Sequence, residues 1–194
     1  MNIIKKILHI VFSSFLVWQT FMLVERLLKN QSTDFSDKIL DAVFVNLFVT
    51  GIFTIVYSFP AYRLLPAKYY SIQNPRLLKI VGQIIQIDLF KKLLIQTVWN
   101  KKQNKKYFFS GCRNGFDDLE ITTMKSEFGH FLGFWVVMIL TMLIGFRTHY
   151  TIAVMIFIVN LFFNFYPFIL QRFHRLRLNE LKKRFGKEVV FIKH

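Results

Sequence analysis

Four blocks of mainly apolar residues, each long enough to cross a bilayer, constrain this chain more than any other feature. The blocks cover residues 7–24, 39–59, 128–146 and 150–170. A transmembrane helix needs about 20 predominantly apolar residues. With 54% hydrophobic residues and 24 Phe in 194 residues, the chain is too apolar for a soluble domain with one core. The sequence therefore predicts an all-α integral membrane protein of one domain, residues 1–194, with about four transmembrane helices.

The first and last blocks need a closer description. Lys5 and Lys6 precede the first block, as in a signal peptide, but no small-residue cleavage site follows it and the apolar stretch is longer than a usual signal sequence. We therefore expect a retained first span. Only residues 147–149 separate the third and fourth blocks. Such a short connection predicts a tight antiparallel hairpin.

The distribution of basic residues predicts the orientation. Residues 1–6, 60–127 and 171–194 contain 22 of the 26 Lys and Arg residues, whereas the loops 25–38 and 147–149 contain four. Cytoplasmic segments near span ends accumulate positive charge. We therefore expect a multi-pass protein of the cell (inner) membrane with a cytoplasmic loop 60–127, a cytoplasmic tail 171–194 and both termini in the cytoplasm. The net charge of +15 suits anionic headgroups, and we expect no nucleic-acid partner.

The long middle loop contains an apolar stretch, residues 77–99, with seven polar interruptions. This pattern favours one or two amphipathic helices in the cytoplasmic interface, with a fifth span as the alternative. Ile84 and Ile87 are expected on one apolar side of this helix. The following residues 100–118 are rich in Lys, Asn and Gly and indicate a loop, whose basic run is either solvated or in contact with the phosphates of a donor.

Glu127 and His130 are the first candidates for chemistry. Residues three apart share one face of a helix, and a carboxylate can orient an imidazole that acts as a general base on a hydroxyl. The alternative is an interfacial ion pair that only positions the helix. A carboxylate-bridged metal site would need a second Glu-x-x-His pair, which the sequence lacks, so no metal is predicted. Cys112, the only cysteine, is expected to be an inert loop thiol.

The fourth apolar block carries two amides, Asn160 and Asn164, four residues apart. On a helix they share a face that continues to Gln171 and Arg175. Buried polar residues in a membrane bundle are either interhelical hydrogen-bonding contacts or part of a site, and both interpretations stay open. Pro167 interrupts the helical hydrogen bonds nearby and is expected to kink the helix.

Arginines cluster where the fourth block leaves the membrane. Such a cluster either anchors the helix to anionic lipid or binds a pyrophosphate or lipid headgroup through bidentate hydrogen bonds. The members are Arg172, Arg175 and Arg177.

Three segments between residues 60 and 185 together resemble the glycosyl-4,4'-diaponeurosporenoate acyltransferases. They are Leu65-Pro66-x-x-Tyr69-Tyr70, Thr123-x-x-x-Glu127-x-x-His130, and Asn164 followed by Gln171-Arg172-Phe173-His174-Arg175-x-Arg177-Leu178. The chain departs from the family's pattern at Leu176, where Pro is expected, at His174, where Asn is familiar, and in a proline displaced by one position in the last span. These departures bear on specificity more than on fold.

The resemblance implies an enzyme that attaches a fatty acyl chain to the sugar of a glycosylated carotenoid acid or a similar membrane-bound acceptor. It implies an acyl-thioester donor and no further cofactor, and the partners expected are the lipid bilayer, the acyl donor and a glycosylated isoprenoid or other lipid acceptor. His130 would be the general base, oriented by Glu127. Asn164 and Gln171 would bind sugar hydroxyls or polarise the thioester, and the three arginines would bind donor phosphates.

Two other functions remain open at this point. One is a non-catalytic membrane subunit whose polar residues are packing contacts. The other is a different membrane-bound transferase, such as a methyltransferase, which would share the bundle but need a different donor.

Overall fold

The structure is a computed structural model that describes residues 3–29, 34–97, 115–147 and 150–191, with no strand among them. Eight α-helices are described, and four helical stretches are long and apolar enough to cross a membrane: Ile3–Lys29, Phe35–Val56, Phe116–Phe146 and Tyr150–Lys183. The prediction of an all-α membrane protein with about four spans is confirmed. The α-helices are α1 (Ile3–Lys29), α2 (Phe35–Ile52), α3 (Ala67–Tyr70), α4 (Pro75–Ile84), α5 (Ile87–Thr97), α6 (Gly115–Phe146), α7 (Tyr150–Asn160) and α8 (Tyr166–Phe191).

Three short segments of different helical geometry complete the description. Two 3-10 turns, Phe53–Tyr57 and Ala61–Leu64, follow α2. A π turn, Leu161–Phe165, joins α7 to α8. The chain divides into two compact units: the first comprises residues 1–62 and 125–168, and the second comprises residues 63–124 and 169–194.

The first unit contains the membrane-spanning apolar helices. Its core is built from small and branched side chains of four helices, such as Ala42, Val45, Val137 and Ile156, each 0% exposed. Large apolar side chains lie on the outside instead, for example Trp18, which is 56% exposed. Small side chains inside and large ones outside suit a helical bundle that is surrounded by lipid. The driving force for packing helices in lipid is close contact rather than removal of apolar surface from water.

Polar side chains within the first unit pair across helices. The His9 ring and the Ser58 hydroxyl form a hydrogen bond, and Arg26 forms a salt bridge with the buried Asp41. The Ser13 hydroxyl donates to the Ile52 carbonyl at 3.2 Å. Because polar groups are costly in hydrocarbon unless paired, these contacts lower the cost of burying the side chains that make them.

The second unit contains the short helices and the charged parts of α6 and α8. Asn74 caps α4 by accepting a hydrogen bond from the Leu77 N–H at 3.0 Å, and Pro75 occupies the first turn, where its missing N–H costs nothing. Gln86, with a φ of 53°, separates α4 from α5. With 10 and 11 residues, α4 and α5 are each too short to span a bilayer. The prediction that this segment is helical is therefore confirmed. Its location in the membrane interface stays a prediction.

The sequence analysis expected Ile84 and Ile87 on one apolar side of a helix. The structure shows that this expectation is wrong. Ile84 ends α4 and is 75% exposed, whereas Ile87 begins α5 and is 5% exposed. The left-handed conformation of Gln86 between them separates the two helices, and a helical periodicity cannot be extended across such a residue.

The predicted loop 100–118 extends too far. Residues 115–118 are helical, because α6 begins at Gly115, and residues 100–114 with Cys112 lie outside the described residues. Asp117 and Asp118 occupy the first turn of α6, where negative charge interacts favourably with the helix dipole. Lys182 on α8 adds salt bridges to Asp117 at 2.7 Å and to Glu120 at 2.6 Å. The start of this helix is thus stabilised by charge and by the burial of Phe116, which is 4% exposed.

Candidate active site

His130 lies in the first unit on α6, facing the π turn between α7 and α8. Its ring interacts with the side chain of Asn164 and with the backbone carbonyl of Phe163. Its Nδ1 is buried and has no hydrogen-bond partner among the residues that the structure describes. The structure thus brings together two residues that the sequence analysis singled out separately, His130 and Asn164.

The contact with Phe163 has a cause in the sequence. In an α-helix the N–H of residue 167 would donate to the carbonyl of residue 163, but residue 167 is proline and has no N–H. The helix widens to a π turn directly before this proline, and the Tyr166 N–H donates to the Leu161 carbonyl five residues back. Single π turns of this kind occur frequently at functional sites.

The neighbours of His130 bear on its possible chemistry. A carbonyl oxygen only accepts hydrogen bonds, so a ring N–H that reaches the Phe163 carbonyl would be the donor. Nδ1 has no partner in the described part of the chain. A general base at this atom requires the tautomer in which Nδ1 keeps its lone pair.

A chain of amide hydrogen bonds supports Asn164. The Thr50 hydroxyl on α2 donates to Oδ1 of Asn164 at 2.9 Å, and Nδ2 of Asn164 donates to Oδ1 of Asn160 at 2.9 Å. Nδ2 of Asn160 then donates to the Phe134 carbonyl on α6 at 3.1 Å. Asn160 and Asn164 are both 0% exposed. Asn160 therefore has the interhelical role that the sequence analysis left open, and Asn164 is held in place from both sides.

Two glycines on α6, one on each side of His130 in the sequence, allow neighbouring segments to pack closely against this helix. A Cβ at Gly133 would lie 2.5 Å from Oδ1 of Asn164, closer than real Cβ atoms come to another atom. A Cβ at Gly129 would lie 3.4 Å from the Phe53 carbonyl. Gly129-x-x-x-Gly133 brackets His130 and is a spacing that packs membrane helices closely. The sequence analysis missed Gly133 and Thr50; the small-x-x-x-small spacing was the available signal for the first, while nothing in the sequence singles out the second.

Glu127 precedes His130 by three residues on α6 and is 0% exposed. The burial of an ionised carboxylate is costly unless it is compensated by a partner, and Glu127 is not isolated in the structure. Its predicted effect on His130 stays a prediction, since the ring interactions described above involve Asn164 and Phe163.

In the second unit, the first two arginines of the cluster, Arg172 and Arg175, pack against two consecutive tyrosines, Tyr69 and Tyr70. The Arg172 guanidinium donates to the Tyr69 carbonyl at 3.3 Å and lies 5.0 Å from the centre of the same residue's ring. The Arg175 Nε donates to the Tyr70 carbonyl at 3.1 Å, with its guanidinium 5.6 Å from that ring. The tyrosine rings themselves meet edge to face at 5.0 Å. Each arginine thus combines a hydrogen bond with a cation–π contact to one tyrosine.

The members of the arginine cluster differ in exposure. Arg175 is 2% exposed, Arg172 and Gln171 are half-buried, and Arg177 is exposed. A buried arginine packed between a carbonyl and a ring fixes structure, whereas an exposed one is available to an anion. Anchoring to lipid and phosphate binding both stay open for the cluster, and the exposed Arg177 is its most accessible member.

The contacts between the two tyrosines and the two arginines join segments that lie far apart in the sequence. Tyr69 and Tyr70 belong to the segment that begins at Leu65-Pro66, and α8 supplies the arginines more than 100 residues later. The sequence analysis quoted both segments without predicting that they meet. No group of three or more His, Cys, Asp or Glu side chains that could hold a metal occurs within the described ranges.

Comparison with known proteins identifies the family of this chain. The family model for glycosyl-4,4'-diaponeurosporenoate acyltransferase matches residues 66–184, which include both tyrosines, His130, Asn164 and the arginine cluster. The curated proteins and the solved structures gave no match. The family match covers more than half of the chain, and the four apolar helices place it in a membrane. The chain therefore belongs to the glycosyl-4,4'-diaponeurosporenoate acyltransferase family and is a membrane-bound acyltransferase of carotenoid biosynthesis.

Proposed function

We propose that the protein transfers a fatty acyl group from an acyl thioester to a sugar hydroxyl of a glycosylated carotenoid or a similar membrane-bound acceptor. Membership of the family supports the acyl transfer and the glycosyl acceptor. The observation that carries the mechanism is the buried Nδ1 of His130, which has no hydrogen-bond partner among the described residues.

In the proposed reaction, Nδ1 of His130 removes the proton from the acceptor hydroxyl as its oxygen attacks the thioester carbonyl carbon. The tetrahedral intermediate then collapses, the carbon–sulfur bond breaks, and the imidazolium returns the proton to the departing thiolate. An ester and a free thiol are the products. Because Nδ1 is enclosed in the structure, a neighbouring side chain must move aside when the acceptor binds.

The neighbouring polar groups would assist this proton transfer. Glu127, buried one helical turn before His130, would stabilise the positive charge that develops on the ring. Asn164 uses one of its two N–H groups for Asn160, and the second would polarise the thioester carbonyl or bind a sugar hydroxyl. Gln171 has the same chemistry in the second unit and is assigned to the sugar.

The donor would be recognised through its phosphates. Arg177 is exposed and Arg172 is half-buried, so both can offer guanidinium N–H groups to a phosphate. We assign Arg175 a supporting part, since its guanidinium is buried against Tyr70. A nucleotide-bearing thioester such as acyl-CoA has the required phosphates and needs no further cofactor.

The distribution of basic residues supports an orientation in the cell membrane with both termini in the cytoplasm. In this orientation His130 lies near the cytoplasmic end of the apolar block 128–146, where a water-soluble thioester is available. Labelling of single cysteines placed in the C-terminal tail and at Arg147 tests the orientation in intact cells. Labelling of the tail from outside the cell would contradict it.

An assay on the purified full chain in anionic lipid vesicles tests the function. The vesicles receive an acyl-CoA and either a glycosylated carotenoid acid or the same acid without its sugar, and the products are identified by mass spectrometry. We expect a sugar ester and free thiol from the glycosylated acceptor alone. Transfer of no acyl group to either acceptor, at confirmed membrane insertion, would contradict the proposal.

A further inference from the structure

The Asn164 side chain, in the π turn, is held by three helices of the first unit. On α6, Gly133 leaves room for the amide, because a Cβ at this glycine would lie 2.5 Å from Oδ1 of Asn164. On α7, Oδ1 of Asn160 accepts a hydrogen bond from Nδ2 of Asn164 at 2.9 Å. On α2, the Thr50 hydroxyl donates to Oδ1 of Asn164 at 2.9 Å. The helix α2 thus reaches the candidate active site through Thr50.

A backbone carbonyl determines the direction of these hydrogen bonds. The Phe134 carbonyl can only accept, so it is Nδ2 of Asn160 that faces it, at 3.1 Å. Oδ1 of Asn160 therefore points to Asn164, which must present its Nδ2 there. The other end of the Asn164 amide is then an acceptor, and the Thr50 hydroxyl supplies its donor. Each amide consequently has one orientation in which all three bonds form.

Asn160 and Thr50 fix different properties of the Asn164 amide. Asn160 fixes which atom of the amide faces α7, since a flipped amide would place two oxygen atoms against each other. Thr50 fixes where the amide lies, since Oδ1 must stay within hydrogen-bonding distance of a hydroxyl on another helix. Because Asn164 interacts with the His130 ring, a displaced amide also changes the surroundings of the imidazole.

The Thr50 hydroxyl is used differently from other threonine hydroxyls in the membrane helices. A helical threonine can donate its proton to the carbonyl four residues earlier in its own helix. Thr20 donates in this way to the Leu16 carbonyl at 2.8 Å, and Thr141 to the Val137 carbonyl at 2.7 Å. A hydroxyl has a single proton, and Thr50 uses it for Asn164. Its hydrogen bond therefore serves a side chain of the site and not its own helix.

We propose that Thr50 is a positioning residue of the acyl transfer and acts through the amide of Asn164. Its hydroxyl holds Oδ1 of Asn164, so that the second N–H of this amide stays directed at the group that it serves in the reaction. The task of that N–H, on the thioester carbonyl or on a sugar hydroxyl, rests on the proposed function. The family model matches residues 66–184, so the proposal extends the site to α2, which lies outside the matched residues.

Thr50→Val tests the proposal, because valine has the shape of threonine and lacks the hydroxyl. Thr50→Ser keeps the hydroxyl, and Thr141→Val removes a half-buried hydroxyl that bonds to its own helix. We expect Thr50→Val to lose about 10- to 100-fold in the single-turnover rate of ester formation in vesicles, as expected for a misplaced reacting group. The apparent KM for the thioester should change little, since the arginines assigned to its phosphates are intact. Thr50→Ser and Thr141→Val should stay near the wild-type rate.

A double-mutant cycle with Asn164→Ala identifies the route of the effect. If Thr50 acts through Asn164, Thr50→Val causes no further loss of rate in the Asn164→Ala background. The same loss in both backgrounds would overturn the proposal, and so would a wild-type rate for Thr50→Val. Equal losses for Thr50→Val and Thr50→Ser would assign the effect to the packing of α2. Equal losses for Thr50→Val and Thr141→Val would assign it to the general cost of losing a hydroxyl, and either result overturns the proposal.

The NMR signals of the His130 ring provide a readout that needs no acyl transfer. The full chain is prepared in detergent with isotopically labelled histidine, and the His130 signals are those that disappear in His130→Gln. We expect them to shift in Thr50→Val and to keep their wild-type positions in Thr50→Ser and Thr141→Val. This result would keep Thr50 as the residue that positions Asn164 beside His130 even if the wild type transferred no acyl group, and only the proposed function would then fail. Unshifted His130 signals in Thr50→Val would overturn the proposal.

Discussion

Gly133 on α6 lies directly against Asn164, so that a Cβ on the glycine would come within 2.5 Å of the amide oxygen. Asn164 in turn contacts His130. The absence of a side chain at Gly133 therefore determines where the amide, and with it the imidazole, can lie.

We expect Gly133→Ala to disturb this contact. The added methyl group must displace Asn164 and strain its hydrogen bond with Thr50, at a cost of about 1–3 kcal/mol for overpacking. Thermal unfolding in detergent and acyltransfer rate at matched membrane abundance measure the effect. Gly145→Ala is the control, because its Cβ would meet Ala153 at an ordinary 3.6 Å. Equal behaviour of the two variants would show that the contact at Gly133 is not restrictive.

The arginine cluster should separate into structural and binding members. Arg175 is buried against Tyr70, so Arg175→Ala should lower the unfolding temperature and the membrane abundance. Arg177 is exposed, so Arg177→Ala should leave stability unchanged and raise the apparent KM for the thioester about three- to tenfold at low salt.

A series of donor concentrations at two ionic strengths measures this effect. Lys183→Ala serves as control, since Lys183 is another exposed cation of the same helix. If Arg177→Ala and Lys183→Ala raise KM equally, the donor responds to general positive charge and not to Arg177.

Ile84 and Ile87 provide a paired test of the interfacial helices. Ile84→Glu places a charge on the exposed apolar stripe of α4 and should reduce activity on membrane-embedded acceptors without lowering the unfolding temperature. Ile87→Glu buries a carboxylate and should destabilise the second unit by several kcal/mol, roughly the cost of an unpaired buried polar group. Gln83→Glu, at an exposed polar position, is the control for added charge. The opposite pattern, with Ile87→Glu harmless to folding, would contradict the break at Gln86.

The four spans were predictable because apolar length is a property of each segment by itself. The same holds for the amphipathic stretch that forms α4 and α5. The break at Gln86 was not predictable, since a single non-glycine residue with positive φ has no periodic signature. The early start of α6 was missed because acidic residues and a salt bridge to Lys182, distant in sequence, stabilise that turn.

The sequence indicates which residue types could form a site, but it does not indicate all of their partners. The orientation of His130 by Glu127 stays a prediction. Their spacing gives no sign of the contact between the His130 ring and the backbone carbonyl that Pro167 does not use. This contact depends on the alignment of two helices, which the sequence of either one does not contain. The pairing of Arg172 with Tyr69 likewise joins residues about 100 positions apart, and no local pattern encodes such a distance.

Replacement of His130 by Gln tests the central claim most directly. Gln keeps a hydrogen-bonding side chain and removes the titratable base, so the variant should insert normally and lose about 10²–10⁴-fold in acyltransfer turnover. His9→Gln, which changes the histidine that pairs with Ser58, is the control for the loss of a membrane histidine and should retain most activity. The measurement is the single-turnover rate of ester formation in vesicles at matched protein abundance. A rate of His130→Gln that falls by the predicted factor supports His130 as the general base, and a near-normal rate would contradict that role.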